Sequence, residues 1–233
     1  MVDNNMKRAG FAAVLVLAGL SLAACAGGAE IRPAPRVGTR SGPRVELRLE
    51  PGEHYAKDMK VLWFSYTVWP QVAAWLETED GRFIDTLYVT ELAVTGRYRA
   101  APKTGRPETL PVWNARRSGA ADAVSSPTTV GADLVYGNGV AAGLPPGRYV
   151  VMLEVNRSYD WNHTYTKKNA GVNGQPSIVY RAELELGAGP SEAVFVPVGT
   201  GSVDGSNGDI RPGLSGEAEV RMRIRIASAG PYH

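Results

Sequence analysis

Val45-Glu46-Leu47-Arg48-Leu49-Glu50 decides the fold of this chain. Apolar and charged residues alternate strictly, and a period of two puts the three aliphatic side chains on one face of an extended strand. The same reading extends along the sequence. Residues 70–76 and 83–89 are two further runs, separated by Glu77-Thr78-Glu79-Asp80-Gly81-Arg82, where Asp80-Gly81 suits the positive φ of a tight hairpin. Residues 149–155 open with Tyr149-Val150-Val151-Met152, apolar toward both faces, which predicts a central strand. Residues 178–186, 193–198 and 220–226 complete the set. No stretch after the first 25 residues carries an apolar period of 3.6 over three turns.

Strands without helices, joined by glycine- and proline-rich turns, predict an all-β fold: two packed antiparallel sheets in an immunoglobulin- or fibronectin-like β-sandwich. A closed β-barrel is the alternative. Leu144-Pro145-Pro146-Gly147-Arg148-Tyr149 resembles the tyrosine corner of such sandwiches. The span from residue 45 onward is long for one sandwich, so residues 97–145 are expected to hold a long irregular excursion. The composition agrees: 233 residues contain 27 Gly, 16 Pro and one Cys, with no collagen-like period and no possible internal disulfide. A net charge of +2, from 25 Lys+Arg against 23 Asp+Glu, argues against a nucleic-acid partner.

The first 24 residues read as a signal peptide rather than as fold. Met6 opens a compact unit in which Lys7-Arg8 precede an uncharged apolar run from Phe11 to Leu20. Leu22-Ala23-Ala24-Cys25 follows and resembles the bacterial lipobox, which implies a diacylglyceryl group on the Cys25 sulfur and an acyl chain such as palmitate on the new amino terminus. Several acyl chains make a stable membrane anchor. Ala26, with no nearby Asp, favours the periplasmic face of the outer membrane over the inner membrane. Residues 25–44 form a tether, with Pro33, Pro35, Pro43 and four glycines preventing regular structure. Its Arg32, Arg36, Arg40 and Arg44 outnumber Glu30, as suits a solvated linker or one held near anionic headgroups. The domain is then expected over 45–228, with a tail at 229–233.

Among candidate sites, Glu154-Val155-Asn156-Arg157-Ser158-Tyr159-Asp160-Trp161-Asn162-His163 stands out. An extended chain here projects Glu154, Asn156, Ser158, Asp160 and Asn162 to one side, an oxygen-rich row suited to Ca²⁺ or to a polar ligand. His163 and Asn173, the latter in a Gly171-Val172-Asn173-Gly174 lid, join the candidate ligand-binding set. A strand end dissolving into Asx turns uses the same residues. Arg221, Arg223 and Arg225 alternate with aliphatic residues, and a cross-strand ladder with Glu46, Arg48 and Glu50 or with Arg181, Glu183 and Glu185 explains them without a polyanion. Of the aromatic residues, Tyr55, Trp63, Phe64, Tyr66, Trp69 and Trp75 are expected mostly in the core, and Tyr159, Trp161 and Tyr165 in a loop. Asp204-Gly205-Ser206-Asn207-Gly208-Asp209 lacks calcium-loop spacing and reads as a turn. No G-x-S-x-G, H-E-x-x-H or phosphate-binding glycine loop is present, so the chain is not expected to be an enzyme.

Several blocks together resemble domain-of-unknown-function family 2271, predicted periplasmic proteins of bacteria. They are Pro70-Gln71-Val72-Ala73-Ala74-Trp75-Leu76-Glu77, Gly81 to Leu87, Pro111-Val112-Trp113-Asn114, Leu144 to Tyr149, Glu154 to Asn162 and Gly171 to Ser177. The resemblance implies a periplasmic sandwich and no established activity. It also implies a segment resembling the acceptor motif of flavin transferases. Here that segment reads Asp122-Ala123-Val124-Ser125-Ser126-Pro127-Thr128, with Ser126-Pro127 where the motif has Gly-Ala and with Thr128 as the residue that carries FMN. The expectation is a non-catalytic binding or accessory module without a cofactor, held to the membrane by its lipid and meeting a periplasmic or membrane protein. An electron-transfer accessory with covalent FMN on Thr128 and a structural cell-envelope protein are the alternatives.

Overall fold

The computed structural model describes residues 44–50, 55–98, 105–117, 125–126, 134–138, 141, 143–187, 192–214 and 223–229. Cys25, the tether up to residue 43 and Thr128 lie outside them. None of the described helices is long and apolar enough to cross a membrane. In chain order the strands begin with β1 (Arg44–Glu50), β2 (Lys57–Val61), β3 (Phe64–Val68), β4 (Gln71–Thr78) and β5 (Phe83–Thr90). Helices α1 (Glu91–Thr95) and α2 (Pro111–Arg116) follow, the second preceded by a 3₁₀ turn at Pro107–Thr109. Next come β6 (Ser125–Ser126), β7 (Leu134–Asn138), β8 (Gly147–Asn156), α3 (Lys167–Ala170) and β9 (Ile178–Leu186). The last are β10 (Glu192–Val194), β11 (Val196–Thr200), β12 (Arg211–Pro212) and β13 (Arg223–Ala229).

The fold is an all-β sandwich. A large sheet runs β12-β11-β9-β8-β4-β5-β6, and a smaller one runs β10-β13-β1-β7. Every described strand pairing is antiparallel except that of β5 with β6, and the isolated bridge between Asp160 and Gly174 is also parallel. The alternation at 45–49 does what its period requires. Val45, Leu47 and Leu49 are buried in one core with Val72, Ala74 and Leu76 of β4, Val151, Leu153 and Val155 of β8, and Ala182, Leu184 and Leu186 of β9. Each such aliphatic side chain contributes roughly 1.5–3 kcal/mol on burial.

Burial of the large sheet's second face explains the doubly apolar start of β8. Ala73 and Trp75 of β4, Val150 and Met152 of β8, and Val179 of β9 pack there against Leu110, Val112 and Trp113. The covering piece is the stretch 105–117, which lies inside the expected excursion, so the excursion is not wholly irregular. Its later parts also join the sheets, β6 at the edge beside β5 and β7 beside β1. The turn after β4 forms as expected, with Gly81 at φ +84°. The Tyr149 hydroxyl donates to the Pro145 carbonyl at 2.8 Å, the contact expected of a tyrosine corner.

Other expectations need correction. The run 193–198 is two strands: β10 pairs with β13 and β11 with β9, and the buried Phe195 marks the change of sheet. Residues 220–222, Arg221 among them, lie outside the described residues; from Arg223 the register of the final strand sets Arg223 opposite Glu50 but Arg225 opposite Arg48. β9 lies in the other sheet, where Arg181 pairs with Glu183 of its own strand at 2.6 Å. Among the described residues there are three short α-helices, each too brief to leave a three-turn period. The hairpin β2–β3 was not foreseen. It exposes Trp63, Phe64 and Tyr66, which were expected inside, whereas Tyr55 and Trp75 are buried.

Candidate functional site

The oxygen-rich row does not stay on one side. β8 ends at Asn156, and Tyr159 adopts φ +60°, which breaks the extended alternation before Asp160 is reached. The row divides at that point.

Glu154, Asn156 and Ser158 turn toward the covering stretch. Helix α2 begins with Leu110, which makes no side-chain cap, and Pro111, which has no amide hydrogen. The first free donors of the helix are therefore Val112 and Trp113 N–H, and both go to the Glu154 carboxylate, at 3.2 and 2.8 Å. Ser177 Oγ donates to the same carboxylate at 2.6 Å. Glu154 is fully buried, and burial pushes its carboxyl up to about 7 while the three donors pull it down. A carboxylate from a strand some forty residues away thus performs the capping that a local Ser or Asp performs elsewhere.

The neighbouring side chains hold the same stretch by its backbone. Asn156 Nδ2 donates to the Thr109 carbonyl at 2.8 Å, and Asn173 Nδ2 to that of Glu108 at 2.5 Å. Arg106 answers in the other direction, donating to Ser158 Oγ at 2.9 Å, to Asn173 Oδ1 at 2.6 Å and to Glu108 Oε1 at 3.1 Å. Four of the expected ligand-binding residues are therefore engaged in clamping residues 106–113 to the sheet. The far end of α2 is secured as well. Trp113 Nε1 donates to Thr86 Oγ1 at 3.0 Å, and Arg116 pairs with the buried Glu77 at 2.8 Å.

Asp160, Asn162 and His163 lie apart from this clamp. Asp160 is paired with Arg157 at 2.5 Å, and Asn162 Oδ1 accepts from Thr164 and Tyr165 N–H in an Asx turn. His163 is exposed. Among the described residues no group of three or more His, Cys, Asp or Glu comes together. The glycine segment expected as a lid is locked: Asn173 is fully buried, and Tyr159 and Asp160 N–H donate to the Val172 and Asn173 carbonyls at 2.8 and 3.0 Å. Gly174 sits at φ +81°, where a Cβ would stand 2.5 Å from the Asp160 carbonyl. The 204–209 segment is a pair of Asx turns, Asp204 accepting from Ser206 N–H and Asn207 from Asp209 N–H.

An open crevice of about 390 Å³ borders the clamp and was not foreseen. Residues 93–96 and Tyr98 form part of its lining, and Arg106, Asn114 and Arg117 bring polar groups to it. Arg106 lies over the Tyr98 ring at 5.0 Å, and Arg117 over the Trp113 ring at 4.6 Å. Among the described residues Arg117 makes no ion pair, so its cationic plane is oriented by the indole alone. Trp113 and Arg117 are four apart, a spacing that meets only on a helix. That signal was present in the sequence but had no meaning until 111–116 was known to be helical.

Together the fold and this face define an all-β sandwich with one sheet covered by a clamped strap, beside a cation-lined crevice. Comparison with known proteins finds no match to the chain among family models, curated proteins or solved structures.

Proposed function

We propose that this chain is a lipid-anchored, non-catalytic binding or accessory module of the periplasm, on an immunoglobulin-like sandwich of the family 2271 type. Its working site is the crevice between 93–98 and 105–117, and its ligand is a small anionic or carboxylate-bearing molecule. The observation that carries the reading is Arg117, a planar cation pre-positioned on Trp113, free of an ion pair among the described residues and open to a 390 Å³ space. Leu22-Ala23-Ala24-Cys25 supports an anchor on the periplasmic face of the outer membrane. Native mass spectrometry of protein extracted from its own membrane tests both parts. Acyl mass on Cys25 and a small co-purifying mass that disappears in Arg117→Ala are expected. An identical bound mass in Arg117→Ala would place the ligand elsewhere.

The alternative with covalent FMN on Thr128 has one observation in its favour. β6 runs parallel beside Val89 and Thr90, immediately before the helix whose Ala93, Val94 and Thr95 line the crevice. Thr128 follows Ser126 by two residues, a reach of about 7 Å. Pro127 lacks the amide donor that the usual Ala supplies at that point. Co-expression with a flavin transferase decides it: a mass increase of one FMN, lost in Thr128→Ala, supports this reading, and an unchanged mass removes it.

A further inference from the structure

The hairpin β2–β3 carries an apolar tip that the sandwich does not use. Val61 pairs with Phe64 across a two-residue turn, Leu62-Trp63. Leu62 is 84% exposed and Trp63 88%, and Phe64 is 51% exposed. Leu62 also has φ +54°, a conformation that Gly, Asn or Asp adopts at much lower cost than a bulky residue. A tight turn thus holds a leucine in an unfavourable backbone state while its side chain stays exposed among the described residues. Strain of that kind points to a role for the side chain outside the fold.

Register extends the apolar surface away from the tip. Met59, Val61, Phe64 and Tyr66 occupy one face of the hairpin, and Asp58, Lys60, Ser65 and Thr67 the other. Phe64 stacks on Tyr66 at 6.3 Å, the Tyr66 hydroxyl is hydrogen-bonded to Tyr159, and Tyr159 meets Trp161 edge-on at 5.5 Å. Lys57 Nζ donates to the Tyr159 carbonyl at 2.8 Å and ties the base of the hairpin to that loop. The hairpin itself carries Lys57 and Lys60 against Asp58, and Lys167 and Lys168 of α3 are exposed in the loop that carries Tyr159.

We infer that this hairpin is a second membrane contact, in which Leu62, Trp63 and Phe64 enter the interface of a bilayer containing anionic phospholipid. Trp and Tyr favour the headgroup level of a bilayer, aliphatic tips reach just beneath it, and lysines meet the anionic surface. The lipid-anchor reading supplies the means of delivery, and the inference rests on it to that extent. Residues 25–44 span at most about 65 Å when extended, so a chain held at Cys25 keeps the hairpin at a high effective concentration near the bilayer. The anchor holds the protein to the membrane, and the tip sets which end faces it.

The test uses the full lipidated protein reconstituted in phosphatidylethanolamine–phosphatidylglycerol vesicles, with and without lipids brominated on their acyl chains. The emission difference between wild type and Trp63→Phe isolates residue 63, since Trp69, Trp75, Trp113 and Trp161 are common to both. A blue-shifted difference spectrum quenched by brominated lipid is expected. Leu62→Gly relieves the positive φ, so it should melt at the same or a higher temperature, yet lose at least about twofold in quenching. Unquenched, water-like Trp63 emission in acylated protein overturns the inference. So would a photoreactive residue at position 63 that cross-links, in native membranes, to a partner protein or a second copy rather than to lipid. Intact mass of the same samples reports acylation of Cys25. Absent acyl chains would refute the anchor reading, while titration with added vesicles would still report on the tip.

Discussion

Glu154 concentrates the chemistry of this fold in one side chain. Its carboxyl is raised to about 7 from an ordinary 4.5, with burial the largest cause. An acid whose folded-state pKa is raised holds its proton in the folded chain at pH values where the unfolded chain has released it. Stability should therefore fall as pH rises from about 4.5 to about 7 and level off above, by an amount on the order of 3 kcal/mol. Urea unfolding across that range checks the slope, and Glu154→Gln should flatten it. Below about pH 5, where Glu154 holds its proton, the same variant should be less stable by about 1–3 kcal/mol, because an amide NH₂ in place of one oxygen faces a backbone donor, and the deficit should shrink as pH rises to about 7. Gly174→Ala belongs to this scale as well. Its Cβ would collide with the Asp160 carbonyl in a left-handed backbone, and a loss of more than about 2 kcal/mol is expected in thermal melts.

At the scale of elements, the strap formed by the 3₁₀ turn and α2 is a six-residue helix that could not persist alone. It exists because Glu154 and Asn156 present acceptors and donors from β8, and because Trp113 fills the second core beside Trp75. Asn173→Ala would leave Arg106 without one partner and the Glu108 carbonyl with only the longer 3.4 Å contact from Asn156 Nδ2. Hydrogen exchange should accelerate in residues 106–113 well before the strands of the first core respond, since local opening costs less than global unfolding. Uniform acceleration across both regions would show that strap and sandwich open as one unit. The clamp also bears on the crevice, because Arg106 belongs to both. A ligand that binds beside Arg117 should slow the same exchange.

For the whole molecule, membrane attachment divides between the anchor and the sandwich. Cys25→Ser should shift the protein from the membrane fraction to the soluble fraction in fractionated cells, since one hairpin tip buries too little apolar area to hold a protein of 24.9 kDa by itself. Full retention of that variant on membranes would mean that the lipid is not what holds it. The two sheets answer a separate demand. A seven-stranded sheet buried on both faces needs two covers, and this chain provides a four-stranded sheet on one side and the strap on the other.

Strands whose two faces differ in polarity are legible along the chain. Val45 to Glu50, the hairpin at Asp80-Gly81 and the doubly apolar opening of β8 were all legible, because a period of two and a positive φ are local properties. The sheet change at Phe195 was not legible, since a strand's neighbours do not show in its own alternation. The roles of the polar residues emerge only from packing. Glu154, Asn156, Ser158 and Asn173 look like an open ligand set along the chain, and only the strap lying against them turns the set into a clamp. In the same way, composition placed Trp63 and Phe64 in a core that the geometry of a two-residue turn denies them. Burial depends on what arrives from elsewhere in the chain, and Trp113 reaches Glu154 from forty-one residues away.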